Sequence, residues 1–287
     1  METIKNAWFE VIITNSKLSG NLIIIGGAED KEGKKEILTK VCECINKDID
    51  KLLIATIATE YPEAAENKYR KVFSELGVKN IDVLRIQTRE EALMNENSQK
   101  ILNAKLIFFT GGDQLRITSL LGGTKAYDLL KEVASKGCYI VGTSAGASVM
   151  SDTMILEGKD EEAPKKSSLK MAPGLGLIRN IIIDQHFEQR GRIGRLITGI
   201  SQNPQVLGIG IDENTAIIVN NNYVEVIGEA AVYFIDASEM TYTDVSEQNY
   251  NEVLSLFNLK LHVLKSGDKF DLLKKQPFEE SENIRWK

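Results

Sequence analysis

The chain has 287 residues, 43% hydrophobic and 26% charged, which is ample length and apolar content for a large core. A formal net charge of -6 argues against a nucleic-acid binder, which needs a net basic face. Three cysteines, Cys42, Cys44 and Cys138, make no disulfide framework. No apolar run approaches a membrane span and no signal-peptide core opens the chain, so the expectation is a soluble, cytoplasmic protein with reduced thiols.

Residues 1–20 are mixed, with one candidate strand over 11–14. Residues 22–25 form a continuous apolar run ending in Gly26-Gly27, the pattern of a strand buried on both faces. A helix is predicted over 34–45 from the spacing of Ile37, Leu38, Val41 and Ile45, then a strand over 52–58. A helix over 64–76 is closed by Gly77, and a strand over 81–86 and a polar helix over 90–103 follow. The strand over 106–109 runs into Thr110-Gly111-Gly112-Asp113-Gln114, with helices over 114–121 and 127–135. Tyr139, Ile140 and Val141 then lead into Gly142-Thr143-Ser144-Ala145-Gly146. This alternation predicts an α/β fold with a mostly parallel sheet and helices on both faces. Ligands of such sheets collect at the carboxyl ends of the strands, where the three glycine turns lie.

Residues 157–170 are charged and aperiodic and read as a loop. A strand over 181–183 is followed by Asp184-Gln185-His186-Phe187, a helix over 188–200, and a strand over 206–211 that ends in Asp212-Glu213-Asn214. Short strands over 216–219, 223–227 and 231–235 predict an antiparallel meander. Residues 259–264 and 270–273 read as one more hairpin around Ser266-Gly267-Asp268. With no repeat and no Pro-rich linker, the reading is a single domain, its core over 21–236 and a β-rich extension over 237–287.

Gly142-Thr143-Ser144-Ala145-Gly146 is G-x-S-x-G between a strand and a helix, the context of a nucleophile elbow. A serine needs a base beside it. Of two histidines, His262 lies in Leu261-His262-Val263, where alternation turns it outward. His186 ends a buried strand at the same sheet edge as Ser144 and is the expected base. The acid that orients it is sought between the two, among Asp152, Glu157, Asp160, Glu161, Glu162 and Asp184, and spacing does not choose. The amide of Ala145 is one oxyanion donor by geometry; Gly111-Gly112 offers the other, assigned to Gly112. Arg190, Arg192 and Arg195 point to carboxylate binding by planar forks. No zinc ligand set is spaced in the chain, and hydrolysis of this kind needs no cofactor.

Together these pieces resemble the cyanophycinases, in the serine peptidase family that also contains the aspartyl dipeptidases. The resemblance runs over about residues 21–235 through Gly26-Gly27-Ala28-Glu29, Thr110 to Gln114, Gly142 to Ala147, Asp184-Gln185-His186-Phe187 with the arginine series, and Gly208 to Glu213. It implies a glutamine-amidotransferase-like (flavodoxin-like) fold with serine in place of cysteine, and a Ser-His-Glu triad of Ser144, His186 and Glu162. The family pattern of a glutamate before x-Pro matches Glu162-Ala163-Pro164. The implied pocket is Gln114, Asp184, Gln185, Arg190, Arg192 and Arg195, with Glu213 added; Asp184 with Gln185 or Glu213 is expected to take the substrate arginine. The implied substrate is cyanophycin or aspartyl-arginine peptides, the product β-aspartyl-arginine, and the assembly a homodimer. Rival readings are a dipeptidase on short aspartyl peptides, an α/β-hydrolase esterase, and a non-catalytic binding protein. The esterase is opposed by the about 40 residues between Ser144 and His186 and by the strands that follow.

Overall fold

The apolar runs of the first half pack side by side. The computed structural model of the protein describes residues 21–166 and 169–279, so the strand expected over 11–14 lies outside it. In chain order come β1 (Leu22–Ile25), α1 (Glu36–Glu43), β2 (Lys51–Ala55), α2 (Pro62–Glu75), β3 (Asn80–Leu84), α3 (Asn95–Leu102), β4 (Leu106–Phe109), α4 (Gln114–Leu121), α5 (Lys125–Ser135) and β5 (Tyr139–Thr143). The five strands are parallel in the order β1-β5-β4-β2-β3. Their side chains alternate between two cores. Leu22, Ile24, Leu53, Ile107 and Phe109 meet Ile117 and Leu121 of α4 and Leu130 of α5 on one face. Ile23, Ile25, Leu52, Ile54 and Phe108 meet Ile37 and Val41 of α1 and Phe73 of α2 on the other.

The helix expected over 90–103 is two pieces, a 3-10 turn at Glu91–Leu93 and then α3, with Met94 extended between them. The Glu91 carboxylate accepts from the amides of Gln87 and Thr88 and so fastens its own turn.

The second half continues with α6 (Ala145–Ser148), β6 (Thr153–Gly158), β7 (Leu169–Pro173), β8 (Ile181–Gln185), α7 (Ile193–Gln202), β9 (Leu207–Ile211), β10 (Thr215–Asn220), β11 (Tyr223–Gly228) and β12 (Val232–Asp236). The C-terminal part adds β13 (Tyr242–Thr243), β14 (Leu256–Phe257), β15 (Lys260–Leu264), β16 (Lys269–Asp271) and β17 (Gln276–Phe278). The helix expected over 188–200 is broken at Gly191, whose φ is 55°, into a 3-10 turn at Glu188–Arg190 and α7. The ends of the loop read over 157–170 belong to the antiparallel hairpin β6–β7.

Two pairings differ from expectation. The meander stops after β10 and β11, which extend the first sheet antiparallel beside β1. Strand β12 instead joins β9 in a second sheet, ordered β15-β12-β9-β8. The expected hairpin over 259–273 is likewise no hairpin, since β15 pairs with β12 while β16 pairs with β11 and β17. The chain crosses between sheets because their facing apolar sides must be covered. Phe234 on β12 and Phe270 on β16, both fully buried, stack with centroids 4.0 Å apart. The same packing reverses the outward turn expected of His262. It is half-buried, edge-on to Phe270 at 5.7 Å, while Leu261 and Val263 are exposed on the edge strand.

The class is therefore α/β, a large sheet flanked by helices with a β-rich C-terminal part, as the alternation predicts. Among the described residues no helix is long and apolar enough to cross a membrane. Truncating Phe270 to alanine removes half of the stack between sheets and should cost about 3–5 kcal/mol in a chemical-denaturation midpoint. Leu273→Ala, at an exposed position, should stay within about 0.5 kcal/mol.

Candidate active site

Strand β5 delivers a buried chain from Ile140 to Thr143, and the buried turn α6 begins at Ala145; Ser144 between these two buried stretches is partly exposed. Its backbone is at φ 54° and ψ -114°, a conformation that costs about 1–3 kcal/mol and persists only where the surroundings enforce it. The helix expected after the serine is a single turn, and its leading amide, Ala145, has no intrahelical acceptor. A Cβ built on Gly111 would come 3.3 Å from the Ser144 Cβ, so the Gly111-Gly112 turn borders the hydroxyl. Gly112 has φ 147°, and a Cβ there would sit 2.3 Å from the Ala58 carbonyl oxygen, so no other residue fits.

His186 follows the last residue of β8, with φ 48°. Because β8 belongs to the second sheet, the histidine does not share a sheet edge with Ser144 as expected. The two meet across the seam between sheets, with Ser144 Oγ 2.9 Å from His186 Nε2. The imidazole lies on Gly27, whose φ is 100° and where a Cβ would stand 2.4 Å from the ring.

On the far side of the ring, His186 Nδ1 is 2.6 Å from Glu213 Oε1. A carboxylate only accepts, so Nδ1 carries the proton and the Nε2 lone pair faces the serine hydroxyl. This corrects the expectation for Glu162. Its carboxylate is held by Lys159 at 3.1 Å and Lys165 at 3.7 Å, and Glu157 is spent on Lys170. Glu213 stood in the expected pocket in another role, because the acid was sought only between Ser144 and His186. The parallel pairing of β8 and β9, which the sequence does not display, sets Gln185 against Ile211 and so brings the residues just past both strand ends together.

Three successive carbonyls at the end of β1 fix the arrangement. Ile25 accepts from the Ser144 amide at 3.1 Å, Gly26 from the His186 amide at 2.8 Å, and Gly27 from the amide of Asn214, next to Glu213, at 2.9 Å. Burial lowers the His186 pKa below its ordinary value, since the imidazolium loses solvation; Arg190 and Arg192 lower it further, and the Glu213 bond and charge pull it back. The imidazole is thus neutral at neutral pH, with a base facing a hydroxyl.

The expected pocket residues divide. Asp184, fully buried, pairs with Arg195 through both oxygens, and Arg192 Nη1 lies 3.5 Å from it. The exposed Asp160 completes the cluster, 3.0 Å from Arg192 Nε and 3.4 Å from Arg195 Nη1. So Asp184 is no free acceptor for a substrate arginine, and Arg192 and Arg195 are no free forks, because burial demands that each charge be matched within the protein. Gln114 donates to the carbonyls of Ile155 and Leu156 on β6. Two expected pocket residues are not committed in this way. Gln185 Oε1 is 3.4 Å from Ser144 Oγ, and Arg190 is exposed with no ion pair among the described residues. Among those residues no group of three or more His, Cys, Asp or Glu is gathered as metal ligands.

A model of Peptidase family S51 matches residues 22–227. The cyanophycinase of Geminocystis herdmanii is 37% identical over 262 residues, covering 91% of this chain and 96% of that protein. The cyanophycinase of a Nostoc species is 36% identical over 253 residues, covering 88% and 85%. In three dimensions the chain is similar to the crystal structure of a peptidase from an acI-B1 actinobacterium. The TM-score is 0.65 at 21% identity, covering 88% of this chain and 97% of the other, a likeness of fold.

With only two histidines in the chain, His186 can be followed by NMR titration. Its midpoint should fall below the ordinary imidazole range. Glu213→Gln removes an influence that raises it, and should move the midpoint lower still; an upward move would overturn the assigned partnership.

Proposed function

The chain belongs to peptidase family S51 and is a serine-type peptidase, and from that premise we propose that it hydrolyses cyanophycin from the chain end to β-aspartyl-arginine dipeptides. The observation that carries this reading is the relay of 2.9 Å and 2.6 Å joining Ser144, His186 and Glu213 at a partly open serine, in a chain that resembles cyanophycinases over most of its length. In the proposed reaction Ser144 Oγ attacks the backbone carbonyl as its proton passes to His186 Nε2. The amides of Ala145 and Gly112 receive the oxyanion. The imidazolium, held by Glu213, returns the proton to the leaving amine, and water then releases the acyl group by the same steps. No cofactor takes part.

In the cleft, Arg190 offers an uncommitted guanidinium for a substrate carboxylate, with Gln185 as a neutral contact beside the serine. The Asp184, Arg192, Arg195 and Asp160 cluster braces the wall behind them. We take the protein to act as one domain, in the cytoplasm and as a homodimer. The free thiols of Cys42, Cys44 and Cys138 support a reducing compartment, and the exposed Leu261 and Val263 on the edge strand support self-association.

Incubating the protein with cyanophycin and weighing the soluble products tests the reading. Release of β-aspartyl-arginine that Ser144→Ala abolishes supports it; a protein inert on the polymer but active on short aspartyl peptides would replace it with a dipeptidase. Glu213→Gln should lower kcat by about 10²- to 10⁴-fold, while Glu162→Gln stays within about twofold. Arg190→Gln should raise KM roughly 10- to 100-fold with little change in kcat, the loss of one charge-assisted contact. On the acid side kcat/KM should fall only as pH drops through the lowered His186 pKa, because protonated Nε2 cannot take the serine proton.

A further inference from the structure

We propose that Glu29 is a positioning residue, holding the end of β5, and with it Ser144, in register with the loop that supports His186; this rests on the serine-peptidase reading above. The Glu29 side chain is only 1% exposed. A carboxylate in that position is costly unless its oxygens are fully partnered. Here Thr143 Oγ1 donates to Oε2 at 2.5 Å, Tyr69 Oη donates to Oε1 at 2.6 Å, and the Lys31 ammonium lies 2.8 Å from Oε1. None of these groups touches the hydroxyl–imidazole relay, and their placement explains why they are there. Thr143 immediately precedes the strained Ser144, and Glu29 stands two residues beyond the Gly27 on which the imidazole rests. One buried carboxylate therefore joins the strand that leads into the nucleophile to the loop on which the base rests.

The far anchor is rigid. Tyr69 is packed against Phe73 and Phe108 with centroids at 6.1 and 4.8 Å, and the Lys31 ammonium lies 5.2 Å above its ring. The chemistry specifies a carboxylate. Both hydroxyls and the ammonium donate here, and a group with two accepting oxygens satisfies all three at once. A glutamine of the same shape offers one oxygen and turns an NH2 against a donor.

The test uses Glu29→Gln and Thr143→Val, singly and together, with Ser144→Ala as control. It follows kcat and KM on cyanophycin, the rate at which a fluorophosphonate labels Ser144, and the melting temperature. Each single variant should lose about 10- to 100-fold in kcat and in labelling rate, with KM within about threefold. The double variant should lose no more than the worse single one, because both remove the same link. Singles that keep kcat and labelling within twofold would overturn the proposal, as would losses that add and track melting temperature, the mark of a merely structural role. Should Glu29→Gln not fold, Thr143→Val decides, since it removes only a hydroxyl. A wild type labelled at Ser144 but inert on cyanophycin sinks the substrate assignment alone, and the labelling rates still decide Glu29. A wild type neither labelled nor active sinks both.

Discussion

The geometry of this protein depends on three consecutive main-chain acceptors at the end of β1. Ile25, Gly26 and Gly27 take the amides of Ser144, His186 and Asn214. These donors come from β5 in the first sheet and from the ends of β8 and β9 in the second. Side-chain distances of 2.9 and 2.6 Å across a seam between sheets need such a common reference, because each strand end would otherwise drift with its own sheet. All three pinned residues also carry positive φ without being glycine, Ser144 at 54°, His186 at 48° and Asn214 at 48°. Such strain is held in place only by bonds of this kind, and the main chain supplies them without any side chain that could be lost.

Charge is arranged by the same logic of full partnership. Arg192, Arg195, Asp184 and Asp160 form a neutral set of two cations and two anions, of which Asp160 alone is exposed. Asp160 stands in the loop between β6 and β7, and the neighbouring Glu161 amide donates to the Gly191 carbonyl at 3.1 Å. Gln114 ties β6 to α4 from the other side. The hairpin is thus braced between α4 and α7. Arginines that read in sequence as three equal forks become two buried struts and one exposed group, Arg190.

What the sequence made legible was local. Runs such as 22–25 and 106–109 announce strands by composition alone, and glycines on both sides of Ser144 announce a sharp turn by sterics. What it hid was pairing. Nothing within Val232–Asp236 says that this strand pairs with β9 rather than β11, and nothing in Leu261-His262-Val263 says which face of an edge strand is covered. The carboxylate partner of His186 was hidden for the same reason. Glu213 lies 27 residues from His186 in sequence, and only the adjacency of β8 and β9 makes them neighbours. Glu162 had a local pattern in its favour, but the lysines on either side, Lys159 and Lys165, claim its carboxylate first.

A relay built at a seam is only as fixed as the packing that holds the sheets together. Phe234 and Phe270 supply that packing on the apolar side, and the β1 carbonyls supply it on the polar side. Between the two there is little slack, since even one carbon added at Gly27 would press into the imidazole. Sites carried on strand ends can keep reacting atoms within a few tenths of an ångström where free loops cannot. The β-rich C-terminal part therefore belongs to the packing that holds these contacts in place. Its strand β16 buries Phe270 against β12, the strand that flanks β9, and β9 ends at Glu213.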